Sequence, residues 1–311
     1  MHLDPFEEPA GANDGRCAVR RVRIESAGTS LPAWWQWRKG SVAHAVTAGR
    51  RGLAASCHRP ADVGVLVSAG VYRDGHVAEP AIAAYIQHRL GINIEFRGRP
   101  TLSFDLLNGG CGMLNAVQVV GAMVQSGQAD AGMVVAGEAN SDRRPDPASS
   151  VARSGAALVL DLSPCGGSGF GAFEFRTHEE DADLFTAVVS LSEPRGRLLI
   201  RRQARLEEAW LAHATEAVDE VLAKECLTRD RIDLVVPAQI SAGFLSQLPA
   251  AIGFPVDKVA DFTASLPDTG STSVFLSWDR LCRQRPPAAG TRVLFLVFGS
   301  GLTVGAAIYT V

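Results

Sequence analysis

From about residue 60 onward, short apolar runs alternate with longer segments of helical periodicity. Asp62 to Ala69 reads as a strand, Pro80 to Leu90 as a helix and Thr101 to Leu107 as a strand. Gly112 to Gln125 follows as a helix, then Ala131 to Gly137 and Ala156 to Leu160 as strands. This rhythm predicts a sheet covered by helices on its faces. The stretch Ser163 to Asp183, loaded with Gly, Glu and Asp, reads as a hinge between two halves. Beyond it, Leu206, Trp210, Ala214, Val218, Val221 and Leu222 form a helical stripe within Gln203 to Glu225, which predicts a helix lying on the outside of a sheet. A strand over Leu234 to Val236, helices over Ala242 to Ala251 and Ser273 to Arg283, and strands over 292–298 and 303–310 complete the second half. Residues 1–20, polar and rich in Gly, Pro and charge, read as a flexible leader. The expected organisation is thus a leader over 1–20, an N-terminal half over 21–165 and a C-terminal half over 166–311.

Composition narrows the class. With 311 residues, 47% hydrophobic and 20% charged, the chain can bury a large α/β core. A net charge of -3 from 30 basic and 33 acidic residues argues against a nucleic-acid partner. Six cysteines (17, 57, 111, 165, 226 and 282) lack C-x-x-C spacing, and the first residues lack a signal-peptide pattern; both point to a reducing cytoplasm. The longest apolar runs, such as Val293 to Phe298, fall far short of the roughly 20 residues a membrane helix needs. No Cys and His cluster with zinc spacing appears, so no metal is expected. The run Gly166 to Gly171 follows a strand but opens no helix, so it reads as a flexible turn rather than a phosphate loop.

The richest chemistry lies between Asp105 and Met123. Asn108-Gly109-Gly110-Cys111-Gly112 reads as a tight glycine elbow between a strand and a helix that is apolar on more than one side, as a helix buried between layers would be. Cys111 falls in the first turn, where free N–H groups and the helix dipole favour a thiolate and a lowered thiol pKa makes a nucleophile. The alternative is an inert cysteine chosen for packing beside two glycines.

This segment resembles the β-ketoacyl-acyl-carrier-protein synthase III branch of the thiolase superfamily. The resemblance covers roughly residues 60 to 311. It is carried by this elbow and the following Ser126 to Glu138, by Asp233-Leu234-Val235-Val236-Pro237-Ala238-Gln239, by Asp268-Thr269-Gly270-Ser271-Thr272-Ser273, and by Phe298-Gly299-Ser300-Gly301-Leu302-Thr303-Val304-Gly305. It implies a duplicated five-layer α-β-α-β-α fold, an acyl group carried on Cys111, and an oxyanion hole formed by the N–H groups of Cys111 and Ser300. The substrate implied is an acyl-coenzyme A or acyl-carrier-protein thioester, with no permanently bound cofactor.

The pattern breaks at two places. The family's histidine in Val-Pro-His-Gln falls on Ala238, and its asparagine in Gly-Asn-Thr-Ser falls on Ser271. Ala238 cannot donate a hydrogen bond and Ser271 is shorter than an amide, which argues against ordinary decarboxylative condensation. The loop that grips coenzyme A has its nearest chemical echo in Trp34, Trp35, Trp37 and Arg38, whose other reading is aromatic packing at the domain edge. The arginine used for carrier-protein docking falls on Gly243. Glu79 stands where the fold inserts a residue into the partner subunit's site, and resembles the glutamate of related olefin-pathway enzymes; there an apolar tunnel would raise its pKa toward that of a general base. Its other reading is a favourable charge at the start of the 80–90 helix. His76 and His213 read as surface or satisfied buried histidines rather than replacements for the lost one.

The sequence therefore leads to an acyltransferase or condensing enzyme of the synthase III type. Cys111 would take an acyl group from a thioester and pass it to an acceptor, carbon, nitrogen, oxygen or water, in specialised lipid or secondary-metabolite biosynthesis. A homodimer is expected, with an acyl-carrier protein as a further candidate partner. The alternative is a catalytically silent subunit supporting an active synthase III paralogue in a heterodimer.

Overall fold

The computed structural model describes residues 20–32, 40–93, 100–142, 144–146, 148, 151–164, 166–190, 192 and 196–311. The leader, apart from Arg20, and Trp34, Trp35, Trp37 and Arg38 lie outside these residues.

Two sheets and three helical layers stack on one another. The first sheet joins β1 (Val22–Ser30), β2 (Val63–Ser68), β3 (Leu102–Asp105), β4 (Ala131–Glu138) and β5 (Ser154–Leu162) in the order β1-β5-β4-β2-β3. The second joins β6 (Gly169–Thr177), β9 (Leu234–Pro237), β10 (Arg292–Gly299) and β11 (Thr303–Thr310) in the order β6-β11-β10-β9. Between these in sequence, β7 (Phe185–Ser190) and β8 (Arg197–Arg202) form a separate antiparallel ribbon. In both sheets an antiparallel trio continues into a parallel neighbour: β1 with β5 and β5 with β4 are antiparallel, β4 with β2 parallel; β6 with β11 and β11 with β10 are antiparallel, β10 with β9 parallel. The repeated order is the signature of a duplicated unit.

Helices fill the layers according to their apolar faces. Outside the first sheet lie α1 (Ser41–Ala55) and α2 (Ile82–Leu90), where Val46 and Ile86 pack with Leu66, Met133 and Val159. Between the sheets lie α3 (Gly112–Gln125) and α6 (Ser273–Gln284), which share one core with Val67, Leu158, Phe295 and Tyr309. Outside the second sheet lie α4 (Leu206–Lys224) and α5 (Ala242–Ile252), packed through Trp210, Val218 and Phe244. Because α3 meets a sheet on either side, Met113, Leu114, Val117, Val120 and Val124 are all buried, each contributing roughly 1.5–3 kcal/mol relative to exposure. The fold is the thiolase-like five-layer α/β architecture.

Several boundaries depart from the sequence reading. The presumed hinge over 163–183 contains β6, which runs along β11 from Gly169 to Thr177, so two of its glycines, Gly169 and Gly171, lie in a strand rather than a flexible turn. The helix expected from Pro80 begins at Ile82. Its start is capped by Asp105, whose carboxylate accepts from the Ile82 and Ala83 N–H groups, each at 2.8 Å, and from Arg73 Nη2 at 2.8 Å. The exposed Glu79 therefore has no capping role. Asp74 does the same for α1, accepting from Ser41 N at 2.7 Å and Val42 N at 3.2 Å. Such carboxylates satisfy amides left free at a helix start.

Candidate active site

The two central helices begin alike, each behind a short 3-10 turn: Gly109–Cys111 before α3, and Gly270–Thr272 before α6. Glycine is required in the first turn for space. A methyl group on Gly110 would collide with the Phe298 carbonyl oxygen, and one on Gly109, whose φ is +49°, would lie 2.9 Å from Ser300 N. The loop after β10 thus sits directly on the elbow. Trp210 secures it from α4, its Nε1 donating to the Gly299 carbonyl oxygen at 3.2 Å.

Cys111 is placed where the sequence puts it, at the foot of α3, but its thiol is not poised. The side chain is fully buried, and Sγ donates to the Thr303 carbonyl oxygen at 3.5 Å. Burial pushes the thiol well above its ordinary pKa, against the lowering expected from the helix start. Desolvation outweighs the one opposing influence, a hydrogen bond from the Gly305 N–H. The Cys111 N–H, one expected oxyanion donor, is engaged within its own turn by the Asn108 carbonyl oxygen at 2.9 Å. Ser300, the other, is absent from the positive-φ positions of the loop, which are Gly301 and Leu302.

A cavity of about 1010 Å³ opens on the far side of the elbow, bordered by Asn108, Gly109, Gly110 and Ser300 but not by Cys111. Its outer wall is largely the β7–β8 ribbon, through Phe185, Val188, Val189, Leu198 and Ile200. Ala238 and the hydrogen-bonded pair Glu138 and Ser271 also belong to its lining. Volume and lining suit a largely apolar ligand that also meets a few polar groups.

Ala238 follows β9 and is 5% exposed. The segment is anchored by its neighbour Gln239, whose Oε1 accepts from Phe262 N at 2.7 Å and whose amide donates to the Pro237 carbonyl at 2.9 Å. Ser271 borders the cavity, and its hydroxyl hydrogen is taken up by Glu138 Oε1 in a short hydrogen bond. Glu138, at the C-terminal end of β4, also accepts from Val71 N at 3.1 Å and Tyr72 N at 3.2 Å. Burial outweighs these donors and the Ser271 N–H, and raises its carboxyl to about 7. Sequence reasoning passed over Glu138. The available signal was an acid closing a strand buried at every position, at the strand end where α/β sheets place their sites.

The remaining expected residues scatter. Glu79 is exposed and does not border the cavity of its own chain, although Val77 and Ala78 do. Gly243 lies exposed on α5. His76 borders the cavity with its Nε2 2.7 Å from Asp142 Oδ1, a satisfied histidine in the wall. His213 is paired with Asp181 at 3.0 Å, outside the cavity lining. No metal-ligand spacing is visible in the sequence, yet the fold gathers His178, Glu180 and His213, and separately Cys57, His58 and Asp161, within 4.8 Å. The His178 and His213 rings stack at 3.5 Å and 18°, so their lone pairs lie in nearly parallel planes and do not converge. Asp161 is already paired with Arg23 at 2.8 Å and His58 at 3.0 Å.

Comparison with known proteins agrees with the layered fold. Residues 222–311 match the family described as 3-oxoacyl-[acyl-carrier-protein] synthase III C terminal. The chain is 26% identical over 270 residues to a β-ketoacyl-[acyl-carrier-protein] synthase III of Rhizorhabdus wittichii, covering 85% of this chain and 82% of the relative. It is 23% identical to that of Methylococcus capsulatus over 94% of this chain and 88% of the relative. Among solved structures, a cysteine-to-serine variant of Xanthomonas campestris OleA with bound lauric acid and lauroyl-CoA superposes with a TM-score of 0.79 at 16% identity, over 94% of this chain and all (100%) of that one. FabH from Pseudomonas aeruginosa PAO1 superposes with a TM-score of 0.79 at 21% identity, over 94% and 98% of the two chains. No described helix is long and apolar enough to cross a membrane. A C-terminal family match, relatives aligned over most of both chains and the duplicated five-layer fold converge on one likeness: the chain is similar to β-ketoacyl-[acyl-carrier-protein] synthase III.

Proposed function

We propose that this chain is an acyl-transferring enzyme in which Cys111 takes an acyl group from a coenzyme A or carrier-protein thioester and hands it to an acceptor. The observation that carries the reading is the largely apolar cavity bordered by the Gly109–Gly110 elbow and Ser300. An acyl chain fits that wall, and the neighbour crystallised with lauroyl-CoA supports a thioester of this class. Acylation requires Cys111 Sγ to leave Thr303 and turn toward the cavity, and the Cys111 N–H to exchange Asn108 for the thioester oxygen. Glu79 is assigned to the site of a partner copy in a homodimer. The absence of a donor at Ala238 argues against decarboxylative condensation and for a specialised pathway. Incubation with a panel of acyl-coenzyme A and acyl-carrier-protein donors is expected to add one acyl mass, abolished by Cys111→Ala; no addition from any donor overturns the reading.

The sealed thiol favours a second reading, a catalytically silent subunit that supports an active paralogue. Co-purification with a Cys-His-Asn homologue and no acylation of this chain would establish it. Turnover by the homodimer alone would remove it.

A further inference from the structure

Where Glu138 and Ser271 line the cavity, hydrogen-bond polarity is reversed from what a malonyl thioester needs. Its carbonyl is an acceptor and calls for donors in the wall. Ala238 offers none, and the only hydrogen of the Ser271 hydroxyl points inward to Glu138 Oε1. Two backbone amides, Val71 N and Tyr72 N, occupy other lone pairs of the carboxylate and hold it in place. With Glu138 ionised, Ser271 Oγ is left with lone pairs alone for any ligand in the cavity.

Resting on the proposed function, we propose that the pair Glu138 and Ser271 selects an acceptor carrying an O–H or N–H group, such as an alcohol, an amine or water, in place of a malonyl thioester. The acceptor's hydrogen bonds to Ser271 Oγ. As its oxygen or nitrogen forms the new bond to the acyl carbon, its proton passes to Ser271 and the Ser271 proton to Glu138. The acyl carbon–sulfur bond breaks, Cys111 leaves as a thiolate, and the proton returns from Glu138 to the sulfur. Ester, amide or acid is released with the thiol restored. Glu138 is a positioning and proton-holding residue acting through Ser271; both are 0% exposed, so the wall must part for the acceptor to reach Ser271.

The carboxyl's value of about 7 suits a group that both takes and returns a proton near neutrality. Other charged groups at this cavity are engaged elsewhere: Arg73 with Asp105 at 2.8 Å, His76 with Asp142 at 2.7 Å, Arg202 with Glu207 at 2.6 Å, while Asp268 accepts from Gly270 N at 2.9 Å. Among the described residues, no ion pair reaches the Glu138 carboxyl.

The test separates the two half-reactions. The full chain is first acylated with lauroyl-coenzyme A and the bound acyl mass is read. The acyl-enzyme is then offered malonyl-coenzyme A, n-octanol, n-octylamine or buffer alone, and loss of the acyl mass is followed with product identification. One protic acceptor is expected to discharge it at least tenfold faster than malonyl-coenzyme A, with a rate that rises with pH through neutrality. Glu138→Gln should slow that discharge tenfold or more, flatten the pH profile and let acyl-enzyme accumulate; Ser271→Ala should do the same should the first variant fail to fold. The double variant Ala238→His with Ser271→Asn should gain carbon dioxide release from malonyl-coenzyme A. Discharge by malonyl-coenzyme A faster than by any protic acceptor, an acyl-enzyme inert to all of them, or wild-type discharge rates in Glu138→Gln or Ser271→Ala overturns the inference alone. Failure of the first acylation overturns the proposed function beneath it.

Discussion

Cys111 Sγ and the carbonyl oxygen of Thr303 lie 3.5 Å apart, joining the foot of α3 to the first residue of β11, and neither residue borders the cavity on the other side of the glycine elbow. The elbow puts the cysteine at the foot of a helix buried between the two sheets, while this contact keeps the sulfur out of the solvent's reach.

Thiol reactivity follows from that contact. Cys57 and Cys226 are exposed, whereas Cys111 is buried with its pKa raised by desolvation. Iodoacetamide at pH 8 with peptide mapping should label Cys57 and Cys226 first and Cys111 at least tenfold more slowly. Prior incubation with a short apolar acyl thioester should block whatever Cys111 labelling remains. Rapid labelling of Cys111 in the unliganded chain would show that the sulfur already faces the cavity.

The elbow's lack of side chains predicts a steric penalty. Gly110→Ala drives a methyl into the Phe298 carbonyl oxygen, a backbone atom with no rotamer to escape by. Overpacking of this kind costs roughly 1–3 kcal/mol. Urea unfolding should show the loss, and acylation should fall with it because the loop bearing Ser300 is displaced.

Most of the scaffold was legible because its elements bury strongly apolar faces. The helix expected over 112–125 is α3 to the residue, since glycine and cysteine before it and Ser126-Gly127 after it punctuate a continuous apolar run. β1 and α1 escaped notice for the opposite reason. β1 turns small residues such as Ser26, Gly28 and Ser30 toward its neighbours, and α1 packs through Ala45, Ala48, Gly49 and Gly52, so hydropathy hardly rises. β6 was hidden by its glycines, which accommodate close neighbours rather than bends: a side chain on Gly171 would run into Glu225. The candidate site could be proposed as far as motifs reach, at Cys111, Ala238, Ser271 and Ser300. Glu138 was not, since its partner Ser271 is 133 residues away and no spacing rule links a strand-end acid to a turn in the other half.

A buried carboxyl leaves a pH signature in stability. Glu138 rises from 4.5 to about 7 on folding, so the folded chain holds its proton more tightly than the unfolded chain does. Its contribution to stability is therefore present below about pH 4.5 and is lost as pH climbs to about 7. Asp161, lowered by Arg23 and His58 despite burial, works the other way at acid pH. The informative quantity is the difference between variants: Tm of Glu138→Gln minus Tm of wild type should increase between pH 5 and pH 8. A difference that stays flat would show that Glu138 titrates normally.

Asp105 supports two structures with one carboxylate, the first turn of α2 and the side chain of Arg73. Replacing a helix-capping side chain by alanine costs about 1 kcal/mol, and loss of the largely buried Arg73 pair adds to this. Asp105→Ala should lower stability by roughly 2 kcal/mol in urea unfolding. Glu79→Ala, at an exposed position without a capping bond, should change stability by less than about 0.5 kcal/mol. Equal losses in the two variants would return the capping role to Glu79.

The central claim is that the stored sulfur of Cys111 comes out to carry an acyl group. Intact-protein mass spectrometry of the chain after incubation with acyl-coenzyme A donors of graded length measures this directly. The expected result is a single acyl addition per chain, mapped to Cys111 by peptide fragmentation and absent from Cys111→Ala. An unmodified mass with every donor, or an addition that survives Cys111→Ala, would contradict it.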